Sequence, residues 1–123
     1  MNKTLFKSKS WPNIYNSIPE NTIVIYESIV SIGCDNIISD KKTILNIIKE
    51  NNEYYIIINY NNKISFKQLI TDINYLSDTK NIIKITAKYY KNAPMISIYF
   101  NETIEYLTFK HSIIILKNIL KNN

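Results

Sequence analysis

Apolar residues along this chain follow more than one rhythm. In EYYIIINY, Glu53 to Tyr60, they run almost unbroken between polar ends, the pattern of a strand covered on both faces. Past Asn61-Asn62-Lys63 the spacing changes: Phe66, Leu69, Ile70, Ile73 and Leu76 stand three and four apart behind Ser65. That spacing predicts an amphipathic helix with a serine cap. Upstream, Ser39 caps a predicted helix running to about Asn51, with Ile44, Leu45 and Ile48 as its inward stripe.

Thr22 to Gly33 is β-branched, has no helical face and reads as a strand. Its alternation fails at Glu27, which predicts a bulge or a break near Glu27-Ser28. Asn81 to Tyr90 reads as a strand with Ile83, Ile85, Ala87 and Tyr89 on one face. A turn at Lys91 to Pro94 leads to Met95–Phe100, a third strand follows over Thr103–Phe109, and a last helix runs from Ser112 to about Lys121. Before all of these, Ser10-Trp11-Pro12 opens a short helical turn that Pro19 ends. The expected fold is α+β: a single-domain mixed β-sheet of about five strands, order β-α-β-α-β-β-β-α, with helices packed on it. Its first two crossovers should be parallel and right-handed, and its last three strands an antiparallel meander.

Register then nominates a surface. With Tyr90 opposite Met95 and Phe100 opposite Ile104, the outward set is Lys84, Lys88, Tyr90, Met95, Tyr99, Glu105, Leu107 and Phe109. A face of lysines, tyrosines and bulky apolar groups is either covered by the C-terminal helix or offered to a partner. The edge from Tyr99 to Phe109 could equally join two copies of the chain.

Composition narrows the choice. At 123 residues the chain fits one domain, residues 11–123, behind a flexible basic arm at 1–10. Ile, Asn, Lys and Tyr dominate and all 15 basic residues are lysine; AT-rich coding accounts for that choice, pointing to an AT-rich bacterium, a virus or an organelle. The net charge of +5 suits an acidic protein surface as well as it suits a nucleic acid. Arginine, which reads base edges and grips phosphate bidentately, is missing. Cys34 is alone, which fits a reducing, cytoplasmic setting, and no apolar run approaches the roughly 18–20 residues that span a bilayer.

Reactive chemistry is short of parts. One glycine cannot build a glycine-rich phosphate loop or a dinucleotide fingerprint. His111 and Cys34 are too few for a zinc site, and a Cys34–His111 pair with Asp35 is a weaker reading than a small buried thiol and a helix-start histidine. Asp78-Thr79-Lys80 and Asp40-Lys41-Lys42 have the D-x-K spacing of metal-dependent nucleases, yet they read as caps and solvated charge. In KITAKYYK, Lys84 to Lys91, lysines alternate with aromatics as in single-strand nucleic-acid binders. The C-terminal HSIIILKNILKNN resembles a membrane-surface helix, but at this length it is expected on the sheet.

The expectation is therefore a non-enzymatic module without cofactor or metal that binds a protein partner. Immunity proteins, antitoxins and phage or viral inhibitors of host factors are the types it suits, the target offering an acidic or apolar surface. Nucleic acid through Lys84–Lys91 is the alternative; no membrane partner is expected.

Overall fold

A computed structural model describes residues 21–34, 37–38, 43–60, 63–79, 81–88 and 95–121, with backbone alone at 37–38 and 77–79. The described residues form eight strands: β1 (Thr22–Cys34), β2 (Ile37–Ile38), β3 (Thr43–Glu50), β4 (Glu53–Tyr60), β5 (Lys63–Leu69), β6 (Ile73–Thr79), β7 (Ile82–Ala87) and β8 (Ile96–Phe100). A 3-10 turn, Ile70–Asp72, joins β5 to β6, and one helix, α1 (Thr103–Lys121), closes the order. Every strand pairing is antiparallel, in the order β5-β4-β3-β1-β8-β7-β6, with β2 beside β1.

That order forces a curl. β5 and β6 are the two ends of the sheet, yet only the three residues of the turn separate them in sequence. Seven strands laid flat would hold them about 29 Å apart, whereas the connection reaches at most about 14 Å. The sheet must roll until its ends meet at a corner. The turn seals that corner: Ile70 and Ile73 are fully buried, and the Lys88 amide donates to the Asp72 carbonyl at 2.8 Å.

Into the rolled sheet α1 lays Tyr106, Phe109, Ile113 and Leu116. They join Val30, Leu45, Ile47, Ile56, Ile58, Ile83, Ile85, Ile98 and Phe100 in one core. Phe109 sits at its centre, 5.5 Å from the rings of both Tyr26 and Phe100. β3 and β4 also bury their other face, where Ile44, Ile48 and Ile57 form a second cluster.

The α+β expectation is overturned. Ile44, Leu45 and Ile48 lie on a strand, not on a helix over Ser39–Asn51. β3 is buried on both faces, so no alternation survives to distinguish it from a helix. Asn51 and Asn52 take φ of 53° and 66°, the two left-handed positions of a tight hairpin turn that returns the chain into β4. The Ser65–Leu76 helix is likewise β5, the corner and β6: a bend between two short strands imitated helical spacing. The predicted strand at Thr103–Phe109 is the start of α1, whose inward positions Tyr106, Phe109, Ile113 and Leu116 repeat at three and four. Parallel crossovers are absent among the described strands.

Two smaller corrections concern register. The β1 irregularity falls between Val24 and Tyr26, ahead of Glu27-Ser28, and the Asn46 amide donates to the Tyr26 carbonyl there at 3.2 Å. In the β7–β8 hairpin Ile85 opposes Ile96 and Ile83 opposes Ile98; the register is four residues from the one that sets Tyr90 opposite Met95. Since four is even, Ile83, Ile85, Ile98 and Phe100 still face inward. The basic arm at 1–10 and the turn at Trp11 lie outside the described residues.

Candidate partner-binding face

α1 is apolar on two sides. At 100° per residue, its four buried positions occupy a sector of about 80°, and Ile104, Leu107, Ile114, Ile115 and Ile119 spread over about 140° on the opposite side. These five are exposed, from 38% at Leu107 to 64% at Ile104. A helix apolar all round is normally enclosed; here the described residues enclose one side. The run Ile113-Ile114-Ile115-Leu116 makes this unavoidable, because four consecutive apolar residues sweep a full turn.

The outward sector also holds three polar side chains, Thr108, His111 and Asn118, all exposed. Thr108 donates to the Ile104 carbonyl at 2.7 Å, and from the sector's edge Ser112 donates to the Thr108 carbonyl at 2.8 Å. His111 lies exposed in the same sector, while Cys34 ends β1. No cluster of three His, Cys, Asp or Glu side chains able to hold a metal occurs among the described residues.

Cations line one flank. Lys110, Lys117 and Lys121 fall within about 40° of one another at 100° per residue. Two of them rest on aromatic rings: Lys110 Nζ is 5.6 Å from the Tyr106 centroid and Lys117 Nζ is 4.6 Å from that of Tyr75. The rings hold the lysine stems against the protein and leave the charge outward. Burial, and then the charge of Lys88, push the Lys117 pKa down, so α1 and the end of β7 bring two ammonium groups into mutual range. Tyr75 donates its hydroxyl to the Ile70 carbonyl at 3.2 Å, and burial raises its pKa. At the other end of the helix Tyr26 donates to the Glu105 carbonyl at 3.0 Å, anchoring the first turn of α1 to β1.

The eight residues nominated from sequence are dispersed over three places. Lys84 and Tyr99 share the outward face of β7 and β8, since their partners Ser97 and Ile82 stand on that face. Lys88 and Met95 are exposed near the ends of those strands. Glu105, Leu107 and Phe109 belong to α1: Leu107 joins the outward stripe, Glu105 is half-buried, and Phe109 is fully buried in the core. Tyr90 lies outside the described residues. Sequence reasoning missed Ile104, Ile114, Ile115 and Ile119 because it started the helix at Ser112 and assigned one apolar face to it.

The described residues also frame a recess of about 430 Å³ at the β3–β4 turn, lined by Asn21, Ile23, Lys49, Asn51 and Asn52. Side-chain amides and a single ammonium there offer no nucleophile and no acid–base pair. No helix of the described chain is long and apolar enough to cross a membrane. No protein-family model matches the chain, and no curated protein matches it.

Proposed function

We propose that this protein is a non-enzymatic binding module that captures a partner protein through the outward face of α1. The observation that carries the reading is the second apolar side of that helix: Ile104, Leu107, Ile114, Ile115 and Ile119 stand exposed opposite a fully packed side. Covering five half-exposed branched side chains would supply about 4–7 kcal/mol before the entropic cost of association. Lysines on one flank define the partner further, as an apolar patch with a carboxylate rim. A dedicated inhibitor, of the immunity, antitoxin or viral type, is the class that this surface fits.

The test uses the whole chain as bait in extracts of its source cell, beside an Ile115→Asp variant. The expected result is one protein retained at high salt by the wild type, lost with the variant, and bound one-to-one when purified. Retention of the same protein by both baits would refute the reading. Lys84, Lys88 and Lys117 favour nucleic acid as the competing reading, and affinity that falls steeply with salt would select it.

A further inference from the structure

The sheet has an edge within it that no described strand covers. β3 pairs with β1 from Thr22 to Val30, whereas β8 pairs with it only from Val30 to Cys34. The side of Thr22–Tyr26 turned away from β3 therefore meets no described strand. Ile23, Val24 and Ile25 on this stretch are 58%, 43% and 43% exposed.

Strand edges invite pairing with another chain, and proteins blunt them with lysine, proline or bulges. The outer edge at β5 follows that rule: it carries Lys63 and Lys67, and Lys67 pairs with Glu50 at 2.8 Å. The β1 edge carries neither lysine nor proline. TIVIY is free of charge and of proline, and no lysine occurs between Lys9 and Lys41. Among the described residues its guard is the irregularity at Ile25, which leaves three consecutive apolar side chains in solvent.

We infer that this edge pairs with the same edge of a second copy, antiparallel about Val24, to give an isologous two-fold dimer. The occupant is chosen by symmetry and by charge. Ile-Val-Ile reads the same in both directions, so Ile23 opposes Ile25 and Val24 opposes itself across the axis. Each copy carries +5, yet no like charges meet in this register, which a lysine-bearing edge could not achieve. A pairing this short buries less than the roughly 1,200 Å² of a stable interface, so the dimer is weak, with a Kd of about 10–500 μM.

Sedimentation velocity of the full chain from about 5 μM to about 1 mM brackets that Kd. The samples are wild type, Val24→Lys, Ile23→Lys and Ile115→Lys, with circular dichroism confirming the fold of each. The expected result is a dimer fraction that rises with concentration in wild type and Ile115→Lys, while both edge variants stay monomeric. A wild type that is monomeric throughout would overturn the inference. So would a dimer that survives the edge substitutions, or one that disappears with Ile115→Lys. Ile23→Lys, at the more exposed position, decides alone where Val24→Lys does not fold.

Discussion

The β3–β4 hairpin and α1 are both apolar on two sides, and they resolve that surplus differently. In the hairpin, Ile56 and Ile58 enter the main core while Ile57 enters the second cluster, and all three are fully buried. In α1, Phe109 is fully buried while Ile104, on the reverse side, is 64% exposed. The hairpin has used both faces for folding. The helix has used one, and an unspent apolar face on a folded domain is the usual mark of an interface.

Substitution on the two sides of α1 should separate these roles. Phe109→Ala opens a large cavity among Tyr26, Phe100 and the surrounding isoleucines and should lower stability by about 3–5 kcal/mol, read as a drop in the urea midpoint. Ile115→Asp should leave that midpoint within about 0.5 kcal/mol of wild type. Equal losses at both positions would mean that the outward face belongs to the fold.

Next in size is Ile57→Ala, with an expected loss of about 2–4 kcal/mol. It sharpens the hairpin side of the comparison, because a loss below about 1 kcal/mol would show that the outer cluster is dry surface rather than core.

The smallest effect depends on pH. Burial raises the Tyr75 pKa, so folding favours the neutral phenol. Its contribution is complete below the ordinary tyrosine pKa of about 10 and declines as pH climbs from there toward the folded value. Tyr26 shifts the same way, again chiefly through burial. Lys117 shifts the opposite way; being partly exposed, it should contribute little. Tyr75→Phe should therefore cost about 1 kcal/mol at pH 7, through the lost bond to Ile70, and should lose less than wild type between pH 9 and about 11. Urea midpoints across that range give both numbers.

These contrasts also explain what could be read from sequence. β4 was legible because Glu53–Tyr60 is too short and too β-branched to suit a helix, and the inward sets of β7 and β8 were legible because they alternate cleanly. β3 was not, since burial on both faces removes the period that separates strand from helix. The β5–β6 corner was hidden for another reason: Phe66, Leu69, Ile70, Ile73 and Leu76 keep helical spacing by belonging to two strands and a bend. One local signal was available, Asn51-Asn52, a pair suited to left-handed turn positions, and it argues for a hairpin just where a helix end was expected. Of the outward stripe of α1, the sequence reading named Leu107 alone, and placed it on a strand. Ile104 was hidden because the helix begins at Thr103, which Ile104 and Tyr106 disguise by alternating as a strand would, and Ile114, Ile115 and Ile119 because one apolar face was assigned to the helix.

The most direct test of the account is the affinity of the purified partner for wild type and for Ile115→Asp, measured by calorimetry at high salt. A binding face on α1 predicts a fall of about 100-fold, roughly 2.7 kcal/mol, with the unfolding midpoint unchanged. Equal affinity for the two proteins, or a loss that appears only when the variant unfolds, would contradict it.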